Sequence, residues 1–89
     1  MRAIVTVVGK DRVGIIAAVC TRLAEYNINV QDISQTVIGG YFNMIMITDI
    51  SEACKPLAEI VTEMDQAGQD MGMSIRIQRE DIFNAMHRI

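Results

Sequence analysis

The chain contains 89 residues, of which 51% are hydrophobic and only 4% aromatic, and its formal net charge is −3. This length fits a single domain, which we expect over residues 1–89 with a core at 1–79. The acidic balance argues against the basic face of nucleic-acid-binding domains. The apolar run at the N-terminus is too short for a signal peptide or a membrane span. The sequence thus favours a small cytoplasmic protein with no nucleic-acid or membrane partner.

A strand and a helix open the chain. Residues 3–8 are apolar or β-branched on both faces, which predicts a strand covered on both sides, and the segment 9–12 ends it. Over residues 13–26 the apolar side chains recur at helical spacing. Asp11 is the expected N-cap of this helix. Asn27 fits the left-handed position that follows a helix.

Two strands joined by a tight turn come next. Residues 29–38 alternate in polarity, but the phase of the alternation changes near residues 31–32, which indicates a β-bulge. Gly39 and Gly40 predict a two-residue hairpin turn, because glycine readily supplies the positive φ that such turns require. Residues 41–48 predict a third strand with large apolar side chains on both faces.

The last third of the chain predicts a helix, a strand and a short helix. Pro56 suits the first turn of a helix, whose apolar stripe reaches residue 71 and which Gly72 ends. Residues 74–79 alternate between apolar and polar side chains and predict a fourth strand. Residues 80–89 place apolar side chains on one helical face and predict a short C-terminal helix.

The element order βαββαβ plus a terminal helix predicts an α+β fold, the ferredoxin-like sandwich with an antiparallel sheet in the order 4-1-3-2. Strands one and three are then central, so we expect Ile4, Val7, Met44 and Ile45 to be largely buried. Both helices cover one sheet face. The apolar residues of strand three on the other face predict a surface covered by the terminal helix, a second copy of the chain or both. We therefore expect a homodimer.

Patterns for catalysis and metal binding are weak. His87, the single histidine, stands near the end of the chain and is interpreted as a surface residue, because catalysis needs a positioned partner. Cys20 and Cys54 lack a CxxC spacing, so we expect two buried, reduced thiols. The sequence has no Gly-rich phosphate loop and no His/carboxylate metal spacing. It predicts a protein that is not an enzyme and holds no metal or cofactor, with an acylphosphatase-like activity as the enzymatic alternative.

The segment from Gly9 to Ile15 is the first candidate for ligand binding. It follows a strand and opens a helix, whose first N–H groups lack internal partners and, with the helix dipole, favour a carboxylate or a similar anion. Gly14 would let a ligand or another backbone approach closely. The structural alternative is that Asp11 only caps the helix and that Gly14 only makes a tight helix–strand contact.

The segment from Asn27 to Asn29 is the second candidate. Asn27 has a structural explanation as the residue that ends the first helix. Asn29 lies in a strand, where asparagine is unfavourable, and its amide can both donate to and accept from a ligand. Polar residues at 32, 34 and 35 continue this edge, for which a solvated edge strand is the structural alternative.

Together these two segments resemble the ACT domain family. Residues 8–17, VGKDRVGIIA, are similar to the first loop and helix start of that family. Residues 27–35, NINVQDISQ, are similar to its passage from the first helix into the second strand. The match covers nearly the whole chain. Residues 81–86, DIFNAM, and the short length resemble the small stand-alone single-ACT proteins of bacteria and archaea.

This resemblance implies a regulatory module that binds a small effector, an amino acid or a related metabolite, and controls a separate protein. In amino-acid-binding members the ligand lies between subunits, against the first loop of one chain and the start of the second strand of its neighbour. Many members carry proline where this chain has Val13. The functional alternative is a structural dimerisation or adaptor module without a ligand. The resemblance assigns ligand binding, by position, to Gly9, Asp11, Gly14, Ile15 and Asn29.

Overall fold

The computed structural model describes residues 1–86, in which two helices pack on one face of a four-stranded sheet and a third helix follows the last strand. The elements are β1 (Arg2–Lys10), α1 (Ile15–Glu25), β2 (Asn29–Ile38), β3 (Tyr41–Asp49), α2 (Leu57–Met71), β4 (Met73–Arg79) and α3 (Glu80–Met86). His87 and the remainder of the expected terminal helix lie outside the described residues. None of the helices described is long and apolar enough to cross a membrane.

The sheet is antiparallel and has the order β2-β3-β1-β4, which confirms the ferredoxin-like fold and the central position of β1 and β3. β1 pairs with β3 from Arg2 opposite Asp49 to Lys10 opposite Tyr41. The pairing carries β1 two residues past the end that the sequence predicts, through Gly9 and Lys10. A backbone that finds a partner strand continues as a strand even where its side chains no longer show the pattern.

The hydrophobic core lies between the two packed helices and one face of the sheet. Val7 of β1 and Met44 of β3 are fully buried there, as the sequence predicts. Leu23 of α1 and Ile60 of α2 meet them from the helix layer and are also fully buried. Strand side chains alternate every two residues and helix side chains recur every 3.6 residues, so each element buries one of its faces in this core. Burial of a side chain of this size contributes about 1.5–3 kcal/mol to stability.

Within residues 1–86, the second face of the sheet is covered by α3 at one end. α3 packs against β1 and β4, Arg2 forms a 3.0 Å ion pair with Glu80, and Ile4 on the same face is 7% exposed, which confirms its predicted burial. Ile45 also points to this face and is 47% exposed. The prediction that Ile45 is buried is therefore wrong for a single chain, because α1 and α2 occupy the opposite face and α3 packs against β1 and β4.

The turns and irregularities that the sequence indicates are present. Asn27 has a φ of 61° and follows α1 in the left-handed conformation. The register of β2 against β3 shifts between Val30 and Asp32, which is the expected bulge. Gly39 and Gly40, with φ values of 58° and 84°, form the two-residue hairpin turn. Each of these features depends on backbone conformations that a short sequence specifies locally.

Two local predictions are wrong. α1 begins at Ile15 with Gly14 as its N-cap residue, and no side chain caps it. Asp11 therefore does not cap the helix, because three further loop residues are needed to turn the chain from β1 into α1. Cys54 is exposed and Cys20 only partly buried, although both thiols are free as expected. Cys54 lies in the polar loop before α2, away from the hydrophobic core, so its side chain stays exposed.

Candidate functional site

The loop between β1 and α1, residues 11–14, is fixed at both of its sides. The backbone N–H of Asp11 donates to the carbonyl of Gly40 in the β2–β3 hairpin at 3.0 Å. The guanidinium of Arg12 donates through Nη1 to the carbonyl of Met71 at 2.9 Å. Met71 is the last residue of α2, whose final turn contains no basic residue, so Arg12 supplies the cation that a helix C-terminus favours. The loop is thus tied to the hairpin and to the end of α2.

The N-terminus of α1, next to this loop, has backbone N–H groups that no side chain caps. The first bond within the helix is donated by the N–H of Ala18 to the carbonyl of Gly14, at 2.9 Å. The N–H groups of Ile15 and the next two residues therefore have no acceptor in the helix. The first turn contains no acidic residue and no side chain caps it. The partial positive charge of this helix end is left available to an anion.

Gly14 and Gly9 are required for different reasons. Gly14 has a φ of 86°, a conformation that disfavours any residue with a Cβ atom, and an added Cβ would meet nothing within 4 Å. The alternative that Gly14 makes a tight helix–strand contact is therefore wrong. An added Cβ on Gly9 would collide with the sulfur atom of Met73. The space beside Gly9 is thus filled by this chain's own side chain.

The second candidate segment lies at the end of α1. The side-chain amide of Asn27 donates from Nδ2 to the carbonyl of Glu52 at 2.9 Å, which joins the end of the helix to the loop after β3. Asn27 thus has the structural role expected of it. Asn29 is exposed. It lines a shallow cavity of about 300 Å³ together with Ala24, Asn27, Ile28 and Glu52.

The register of the sheet separates the two candidate segments within one chain. Asn29 lies opposite Asp49, which pairs with Arg2 at the start of β1. The β1–α1 loop begins after Lys10 at the other end of the same strand. At a rise of about 3.3 Å per residue, these ends are roughly 26 Å apart. Four of the predicted ligand-binding residues therefore lie close together in the β1–α1 segment: Gly9, Asp11, Gly14 and Ile15. Asn29, the fifth, lies at the other end of the sheet.

A polar cluster that the sequence analysis missed joins α1, α2 and the loop before α2. Glu63 accepts hydrogen bonds from Lys55 Nζ, at 2.9 Å through Oε2, and from the hydroxyl of Tyr26, at 2.8 Å through Oε1. The ammonium of Lys55 also lies 5.8 Å from the centroid of the Tyr26 ring. The hydrogen bonds from Lys55 and Tyr26 hold the pKa of Glu63 below its usual 4.5. No sequence pattern links positions 26, 55 and 63, so only the fold could bring them together.

This lowered pKa predicts a loss of stability in acid. Because the pKa of Glu63 is lower in the folded than in the unfolded chain, its contribution is complete above pH 4.5 and is lost as the pH falls through the folded-state pKa. Glu63→Gln should therefore be less stable than the parent at pH 7, with a difference that narrows below pH 4.5. Urea unfolding at several pH values measures this, and Glu52→Gln, at an exposed position in the loop before α2, is the control. An equal difference at pH 7 and pH 3 would contradict it.

These features define a small α+β domain with an uncapped, anion-attracting helix N-terminus. Residues 1–86 contain no group of three or more His, Cys, Asp or Glu that could hold a metal ion. The family model of the ACT domain matches residues 2–78, and the chain belongs to that family. ACT domains are typically regulatory, ligand-binding domains.

Known proteins of similar sequence and structure include relatives of the same length. A UPF0237 protein of Bifidobacterium longum is 57% identical, and the alignment covers 99% of this chain and 98% of the relative. Similar small relatives occur in archaea, which confirms the expected resemblance to stand-alone single-ACT proteins. An ACT domain protein from Streptococcus pneumoniae has 41% identity and a TM-score of 0.83, with 98% of both chains covered. A formyltetrahydrofolate deformylase from Pseudomonas syringae has 25% identity and a TM-score of 0.79, with 88% of this chain and 27% of that chain covered.

Proposed function

We propose that this protein is a non-catalytic cytoplasmic regulator that forms a homodimer and binds an amino acid at the interface between its subunits. One observation carries the proposal: the candidate residues lie at opposite ends of a sheet whose β2 edge is free. A second copy of the chain, paired along that edge, would bring the two ends together. The bound amino acid would then signal to a separate protein.

The outer edge of β2 suits pairing with another strand. Ile38 and Tyr41 flank the two-residue turn and form a hydrogen-bonded pair. Counted from this pair, the alternation of an antiparallel ladder directs the backbone groups of Ile33, Gln35 and Val37 away from β3. Such an edge is a template for a further strand. The side chains of Ile33 and Val37 are 42% and 54% exposed, although both are apolar.

A two-fold axis close to Gln35 would satisfy this edge with a second copy. Two antiparallel β2 strands related by that axis place Ile33 of one chain opposite Val37 of the other, and an apolar cross-strand pair of this kind stabilises a sheet. The same symmetry sets the partner's Asn29 beside the hairpin turn at Gly40. The carbonyl of Gly40 is hydrogen-bonded to the β1–α1 loop. Edge pairing thus supports a binding site that each chain completes for the other.

The chemistry of the two halves fits an α-amino acid. The free N–H groups and the dipole at the start of α1 favour its carboxylate. The carboxylate of Asp11, exposed in the same loop, attracts its ammonium group. The amide of Asn29 can bind either group, because it donates and accepts. A dicarboxylate or a nucleotide would bring a further negative charge towards Asp11, so it fits less well.

A thermal-shift screen of the twenty amino acids tests this proposal. At about 100 times its Kd, a ligand that binds only the folded protein stabilises it by about 2.7 kcal/mol, which raises the Tm of a domain of this size by roughly 10–20 °C. The α-hydroxy acid and the amide of the same amino acid are the matched controls. We expect both to give a smaller shift, because each lacks one of the two charges.

The mass in solution tests the homodimer, and the amino-acid screen then separates the two candidate functions. Light scattering should give a mass above the 9.9 kDa of one chain. A monomer at micromolar concentration would contradict the proposal, since the site would then be incomplete. An assembly that binds none of the twenty amino acids would favour a structural dimerisation or adaptor module.

A further inference from the structure

The uncovered part of the second sheet face carries a cluster of apolar side chains. We call this cluster the open-face patch and define it by Val8, Ile38, Tyr41 and Ile45, which share this face in the register of β1, β2 and β3. They are 39%, 66%, 53% and 47% exposed, respectively. Single exposed apolar residues are normal on a protein surface, but these four large ones lie together on adjacent strands. A contiguous patch of this kind marks an interaction surface.

The charges around the patch point to a partner with the same surface. Asn43, between Tyr41 and Ile45 on β3, and Thr6, opposite Ile45 on β1, are polar but uncharged. Charged side chains on this face lie towards its margins and have both signs: Asp32 on β2, Arg76 on β4 and Lys10 at the end of β1. Protein interfaces usually have an uncharged centre and a polar or charged margin. Mixed signs favour a self-complementary contact over a strongly acidic or basic partner.

The area of this face is compared with the area that a specific interface needs. α3 packs against β1 and β4 at the end of the face near Arg2, whereas β2 and β3 have ten and nine residues. With strands about 4.8 Å apart and a rise of about 3.3 Å per residue, β2 and β3 alone present roughly 300 Å² of sheet.

A pair of chains joined along β2 has a large enough face. The two sheets continue each other, and the two α3 helices stand at diagonally opposite corners of the doubled face. The two β2 and two β3 strands at its centre then form a continuous surface of roughly 600 Å² per pair, and two pairs in contact would bury about 1,200 Å², enough for a specific interface.

We infer that the open-face patch binds a second dimer of this chain, so that the protein is a tetramer built as a dimer of dimers. The inference rests on the β2-edge dimer of the proposed function. The two kinds of interface are independent, because one uses the backbone edge of β2 and the other the side chains of one sheet face. Closed symmetry with two types of two-fold contact is common among tetramers.

Light scattering on the full chain and on two patch variants tests this inference. The parent should have the mass of four 9.9 kDa chains, about 40 kDa. Ile45→Arg should halve this mass, because it places a charge in the centre of an apolar contact. Tyr41→Glu is the second patch variant, at a more exposed position that tolerates substitution in the folded chain. Thr21→Arg is the matched control, since Thr21 is exposed on α1 in the helix layer, away from the patch and from the β2 edge, and it should retain the parent mass.

Each outcome separates this inference from the proposed function. A parent that is already a dimer, or a tetramer that both patch variants leave intact, overturns the inference, and a dimeric parent would leave the face to a different protein. A monomeric parent overturns the edge dimer and this inference with it. Tetramers that the patch variants convert into dimers, with amino-acid binding retained, support both.

Discussion

Leu23→Ala is expected to lower the free energy of unfolding by about 2–5 kcal/mol. Leu23 is fully buried on α1, where it faces the central strands, and its truncation leaves a cavity that the surrounding side chains fill only in part. A domain of 89 residues has roughly 4–13 kcal/mol of total stability, so this loss is a large fraction of it. Urea unfolding followed by circular dichroism measures the change, and Tm should fall by about 4–8 °C per kcal/mol.

Thr21→Ala is the control for the Leu23 variant. Thr21 is exposed on the same helix, and alanine favours a helix more than threonine does, so the control should keep or slightly exceed the stability of the parent. A Leu23 variant as stable as this control would show that α1 does not pack on the sheet as described. Because the helix layer positions the β1–α1 loop, that result would also remove the basis for the ligand site.

Asn29→Ala is expected to weaken amino-acid binding by roughly 10- to 150-fold. The substitution removes a hydrogen bond to a charged group of the ligand, and such a bond contributes about 1.5–3 kcal/mol. Gly14→Val should weaken binding as well. The φ of 86° at Gly14 is strongly unfavourable for a β-branched residue, so the start of α1 must shift away from its ligand-binding geometry. Calorimetric titration with the amino acid found in the screen measures both effects.

Ser74→Ala is the control for the binding measurements. Ser74 is an exposed polar residue on β4, the edge strand opposite β2, and its substitution should leave the affinity unchanged. Circular dichroism establishes that each variant is folded. If Asn29→Ala and Gly14→Val are both folded and bind as tightly as the parent, the ligand site lies elsewhere on the protein.

The sequence alone determined the order of the elements, the topology and the turns. Gly39 and Gly40 predicted the hairpin, Asn27 predicted the end of α1, and the phase change near Asp32 predicted the bulge. These features follow from steric limits on φ and ψ and from side-chain periodicity, which neighbouring residues specify locally. The strand order followed because β1 and β3 carry the continuous apolar runs that central strands need.

Only the tertiary structure decided where the candidate residues lie relative to one another. The β-sheet register places Asn29 at one end of the sheet and the β1–α1 loop at the other, and no local pattern states such a distance. The exposure of Ile45 depends on α3 packing against β1 and β4. The contacts of Glu63 join it to Tyr26, 37 positions away, and to Lys55, 8 positions away. Burial, ion pairing and site assembly depend on elements distant in sequence, whereas periodicity and turn chemistry describe only neighbours.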